Sequence, residues 1–112
     1  MKKRMELLED LVVMKQPIDE TLVELSKYSW DSEGIYYIIL KKHVVHILEL
    51  ALNGKVTYGI IDDWANAIEC REDLDFESEQ LKEVVEELAN PVLYGELNNN
   101  TIRNYLDRLK NS

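Results

Sequence analysis

Apolar residues recur along this chain at helical spacing, and turn-forming residues divide it into successive segments. Leu7, Leu8, Leu11 and Val12 form a stripe that predicts an amphipathic helix over roughly 3–15. Gln16-Pro17 ends it, because proline lacks an amide donor and restricts the residue before it. Asp19 can cap a short helix carrying Leu22, Val23 and Leu25. Tyr28 to Ser32 reads as a turn, with Asp31 or Ser32 capping the next element. Ile35 to Leu52 is the most apolar segment, with Lys42, His46, Glu49 and Asn53 as a narrow polar stripe. That pattern predicts a central helix contacted from several sides. Ile35 to Leu40 also has strand character, but no partner strand is evident, so one helix is expected throughout. Asn53-Gly54 is a helix stop.

Thr57 is placed to cap the following helix, whose inward face would be Ile60, Ile61, Trp64, Ala65 and Ile68. Arg71 to Glu77 reads as an acidic link anchored by Leu74 and Phe76. Ser78 or Asp75 would cap a helix with Leu81, Val84, Val85 and Leu88 inward, ending at Asn90-Pro91. Val92 to Leu97 is expected to be a loop. Asn98 would cap the last helix, with Ile102, Tyr105, Leu106 and Leu109 on its stripe and Lys110 favouring its C-terminal dipole. The expectation is an all-α, single-domain bundle of five to six helices over 1–112. Its interior should hold Leu11, Leu25, Ile39, Val45, Leu48, Leu52, Ile61, Trp64, Ile68, Leu81, Val85, Leu88, Leu106 and Leu109.

Charge changes the picture. Asp62 to Glu87 contains eleven acids opposed by Arg71 and Lys82 alone, so that stretch carries the whole net charge of −9. Such a field attracts basic protein surfaces and repels nucleic acid and anionic membranes. The outward positions Asp62, Asp63 and Glu69, the link residues Asp73 and Asp75, and Glu79, Glu83 and Glu86 are the expected partner-binding acids. Cys70 is alone, which excludes an internal disulfide and fits a reducing compartment. Lys2, Lys3 and Arg4 resemble the start of a signal peptide, but Glu6, Glu9 and Asp10 break the apolar run that should follow. No apolar run approaches the roughly 20 residues that span a bilayer. A soluble, cytoplasmic protein is expected.

No constellation of catalytic residues emerges, and neither a cofactor nor a metal is expected. His43 and His46 are three apart, yet no further ligand pattern completes a metal site. Asp73, Asp75, Glu77 and Glu79 alternate like the start of a calcium loop, but Ser78 stands where glycine is needed and Val84 where a bidentate acid is needed. Glu69 and Glu72 beside Cys70 discourage a reactive thiolate. Trp64 belongs to an apolar stripe and reads as core, and Trp30 as a turn anchor. Among Tyr36, Tyr37, Tyr58 and Tyr94, one or two should be exposed.

Three runs together resemble a family of small bacterial all-helical proteins of unassigned function. They are Trp30-Asp31-Ser32, then Trp64 to Glu69 with Arg71 and Asp73, then Glu87-Leu88-Ala89-Asn90-Pro91. The pattern Leu50-x-Leu52-x-Gly54-x-Val56-Thr57 before an acidic helix is similar to colicin-type and contact-dependent-inhibition immunity proteins. That second likeness implies a small cytoplasmic helical inhibitor. Such a protein binds a basic toxin nuclease and blocks its active site or its access to nucleic acid. It carries no site residue over to this chain. The alternatives are a structural or self-associating protein paired through the wide apolar face of 35–52, as in a homodimer, and a small enzyme or metal-binding protein using His43, His46 and nearby acids.

Overall fold

A computed structural model describes residues 3–28 and 34–111, with the side chains of Val92 and Tyr94 left out. The expected turn with its Asp31 or Ser32 cap, and Trp30, fall outside the described residues. Six helices of eight or more residues are present among those described, and they pack around one apolar core, an all-α bundle.

The first helix, α1 (Arg4–Val13), buries Leu7, Leu8, Leu11 and Val12, as its stripe requires. It stops at Met14, which takes a left-handed conformation (φ 55°) while the Lys15 amide donates to the Asp10 carbonyl. Helix α2 (Ile18–Leu25) begins two residues earlier than a cap at Asp19 would place it. Pro17 holds the N-terminal position, and Asp19 sits in the first turn, where its charge suits the helix dipole.

Ile35 to Leu52 is not one helix. Strand β1 (Tyr37–Ile39) precedes α3 (Lys41–Leu52), and the two conformations change at Leu40. The partner that sequence did not disclose is β2 (Leu74–Phe76), paired in parallel with Tyr37 opposite Leu74 and Ile39 opposite Phe76. Parallel strands need a long crossover, and here α3 and α4 (Tyr58–Glu69) supply it. Gly54, at φ 71°, makes the left-handed turn between those helices.

The remaining helices are α5 (Glu79–Leu88), the one-turn α6 (Pro91–Tyr94) and α7 (Asn99–Lys110). Pro91 at the start of α6 needs no donor, so part of the expected loop 92–97 coils instead. The caps at Thr57, Ser78 and Asn98 all form: each side chain accepts the amide three residues on, from Ile60, Leu81 and Thr101.

Trp64 is fully buried and ties the core together. Its indole N–H donates to the Leu11 and Val12 carbonyls, at 3.1 and 3.2 Å. Those carbonyls lie in the last turn of α1, where the regular amide four residues on is missing, although Leu11 also accepts from the Met14 amide. Of the expected interior residues, Val45 and Leu52 are only half-buried and the others are buried. Ile60, expected inward, is 36% exposed, because it lies at the rim of α4 nearest the α1–α2 turn.

Candidate functional site

The eleven acids between Asp62 and Glu87 divide into two groups in three dimensions. Three of them are engaged inside the fold.

Asp73 is the clearest case and corrects the expectation that it belongs to an exposed acidic face. Its carboxylate is fully buried. It accepts from Arg71 Nε and Nη2 at 2.9 and 2.8 Å and from Arg4 Nε at 3.0 Å. The Arg4 guanidinium also lies 4.6 Å from the Tyr36 ring centre, within range of a cation–π contact. Burying a carboxylate is costly unless it is paired and hydrogen-bonded, and two guanidinium groups satisfy that condition. The Asp73 carbonyl in turn accepts from the Tyr36 amide, which fixes the start of the two-stranded sheet.

Glu77 is exposed, yet its carboxylate accepts from the Lys41 amide at 2.7 Å. It therefore caps the N-terminus of α3 from across the chain, where a negative charge is favoured. Glu87 forms a two-pronged pair with Arg108, at 3.1 and 2.9 Å, and joins α5 to α7. That hydrogen bond, more than the charge itself, raises the Arg108 pKa above its usual value.

The other acids face outward. Asp62 and Glu69 share one stripe of α4 with Asn66, and Asp63 lies on the adjoining stripe. Glu79, Glu83 and Glu86 recur at positions i, i+4 and i+7 of α5, and Asp75 is exposed on β2. Helices α4 and α5 pack against each other. Asp62 accepts from the Asn66 side chain and Asp75 from the Phe76 amide. Among the described residues, none of these seven acids, nor Glu72, has a cationic side chain within ion-pair distance. Glu79 and Glu83 also stand four apart, a like-charge spacing that costs a helix a few tenths of a kcal/mol.

Sequence reasoning missed an apolar groove beside α4. It runs between α2 and α4, with a volume of about 710 Å³, over Ile18, Leu22 and Ala67. A second cleft of about 420 Å³ adjoins it toward Val56 and Ile60, and the two share Ile18, Asp19 and Asp63. The signal was present in α2. Ile18, Leu22, Val23 and Leu25 span more of the helix than one buried stripe, and only Thr21 and Leu25 are buried.

The histidines do not act together. His46 is exposed, while His43 is buried and its Nδ1 accepts from the Leu40 amide at 2.9 Å. Among the described residues no group of three or more His, Cys, Asp or Glu side chains is placed to hold a metal ion. Cys70 is exposed at the groove edge, and Tyr36 and Tyr58 are the exposed tyrosines among those whose side chains are described. No described helix is long and apolar enough to cross a membrane. Compared with protein-family models, curated proteins and solved structures, the chain matches none.

Proposed function

We propose that this protein is a non-catalytic, acidic protein-binding module of the immunity type, which occludes a basic toxin domain, such as a nuclease, in the cytoplasm. The observation that carries this reading is the split among the acids. Where the fold needs a carboxylate it supplies a partner, as at Asp73 and Glu87. Asp62, Asp63, Glu69, Asp75, Glu79, Glu83 and Glu86 have no such partner among the described residues and sit on neighbouring elements. Charge left unmatched on one protein speeds encounter with an oppositely charged surface and sets its register. Occlusion then requires no chemistry from this chain.

A second reading, self-association, keeps one observation in its favour. The apolar sides of α3 are taken up by the core, so the helix face first expected to pair two copies is not free. Ile35, Tyr36 and Ile38 along β1 remain exposed, at 49, 49 and 44%. An exposed edge strand of this kind can pair with another chain.

Capture from native lysate on the immobilised protein, at low salt and again near 1 M salt, separates the two. A basic protein held at low salt and released at high salt is the expected result, since the screening length falls from about 10 Å at 0.1 M to about 3 Å at 1 M. That protein should lose its toxic activity when mixed with this one. Capture of this chain alone, with a dimer mass in solution, would replace inhibition with self-association.

A further inference from the structure

Resting on the reading of a basic protein partner, we infer that the groove between α2 and α4 is the seat for an amphipathic basic helix of that partner. The groove has two properties that belong together. Its floor is apolar, from Ile18, Leu22 and Ala67. Its shared edge is anionic, because Asp19 and Asp63 line both adjoining clefts and both are exposed. The one arginine in the larger cleft, Arg71, does not offset them. Its guanidinium is engaged by Asp73, and its side chain is 8% exposed. Lys15, which is exposed, is the one base lining the smaller cleft.

The rest of the surface agrees. Ile60, on the α4 side of the smaller cleft, is 36% exposed, and Val23, on α2 outside both clefts, is 67% exposed. A helix laid in such a groove anchors through apolar residues at i, i+3 or i+4 and i+7. Lysines or arginines flanking that stripe would reach Asp19 on one wall and Asp63 on the other. A second copy of this chain is a poor occupant, since its net charge of −9 would meet the same sign. The groove also continues the acidic face of α4: Asp63 belongs to both. The outward acids would then steer the partner and supply its rim contacts, and the groove would seat one helix of it.

The probe is a synthetic peptide with leucines at helical spacing and lysines between them, titrated into the isotope-labelled full chain and followed by amide shifts. The controls are the same composition in scrambled order and the same pattern with glutamates for lysines. The expected result is saturable shifts centred on Ile18, Leu22, Asp63 and Ala67, with neither control binding comparably. Asp19→Lys with Asp63→Lys should weaken the peptide roughly tenfold, as loss of two charge contacts implies. Ala67→Arg should weaken it by blocking the floor. Both variants alter surface-accessible positions, and circular dichroism checks that they remain folded. Glu79→Lys, Glu83→Lys and Glu86→Lys together should leave peptide affinity within about threefold.

Equal binding of the scrambled peptide would reduce the groove to a generic acidic surface and overturn the assignment. So would shifts centred on α5, or tighter binding of the glutamate peptide. The two proposals fail separately. A captured toxin that binds the Asp19/Asp63 and Ala67 variants as tightly as the original protein removes the groove and keeps the inhibitor. Peptide binding in the groove with no basic protein captured from lysate keeps the groove and removes the inhibitor.

Discussion

Asp63 and Asp73 carry the same formal charge on one short acidic stretch, and they meet opposite fates. Asp73 is buried between Arg4 and Arg71, where it joins the first helix to the two-stranded sheet. Asp63 is exposed at the edge of an apolar groove and has no cationic side chain within ion-pair distance among the described residues. A charge count treats these residues alike. Burial and partners separate them: one kind of acid holds the fold, and the other is free to meet another molecule.

The sharpest way to test that contrast is to remove the buried member. Asp73→Asn leaves two guanidinium groups, 14 and 8% exposed, without their shared anion. Breaking a buried ion pair from one side costs about 3–5 kcal/mol. The midpoint of urea unfolding should fall accordingly, and part of the α1–sheet contact should loosen. An unchanged midpoint would mean that Asp73 contributes no more than a surface acid.

Glu87→Gln tests an intermediate case. Its partner Arg108 is 38% exposed, so solvent screens the pair and the expected loss is about 1 kcal/mol. The same urea titration measures it, and Asp73→Asn should exceed it clearly.

His43 adds a pH signature to the interior side of the comparison. Burial lowers its pKa below 6.5 most, and the Lys42 charge lowers it further. Glu9 and Glu77 pull it upward and His46 pushes it down, but the net direction is downward. Geometry gives the reason independently. Nδ1 accepts the Leu40 amide, so the ring proton lies on Nε2, facing the Tyr37 hydroxyl 3.4 Å away. A second proton on Nδ1 would break the Leu40 contact at the start of α3. Above pH 6.5 both folded and unfolded chains hold a neutral His43, and its contribution is complete. As pH falls through 6.5 the unfolded chain takes the proton first, so stability should drop until the lower folded pKa is passed. A His43→Leu variant should lack this decline, and the difference between the two pH curves isolates it.

The smallest expected effect on stability is at the surface. Reversing Glu79, Glu83 and Glu86 to lysine turns the Glu83/Glu87 repulsion into an attraction but keeps a like-charge spacing at 79/83 and places a cation in the first turn of α5. The favourable and unfavourable effects oppose each other, and thermal unfolding should change by no more than about 0.5 kcal/mol in all.

The helices were legible because each buries one stripe and carries its own punctuation. Thr57, Ser78 and Asn98 act within three residues of themselves, so a linear reading finds them. The sheet was not legible for the converse reason. Each strand is three residues long, too short to show alternation, and its partner lies beyond two helices. The same distance hid the role of Asp73, whose partner Arg4 is 69 residues away. Glu77 likewise caps a helix 36 residues earlier. On α4 and α5, Asp63, Glu69, Glu79 and Glu83 are exposed and Asp62 and Glu86 half-buried, while Ile60 left the inward stripe; the groove was not legible, because it is a space between two helices and belongs to neither sequence pattern.

The most direct test compares capture of a basic partner by the original protein and by the Glu79→Lys, Glu83→Lys, Glu86→Lys variant at low salt. The expected result is a variant with unchanged circular dichroism and melting that no longer retains the partner. A variant that unfolds would show these acids to be part of the fold. One that stays folded and retains the partner as before would remove the acidic surface from recognition.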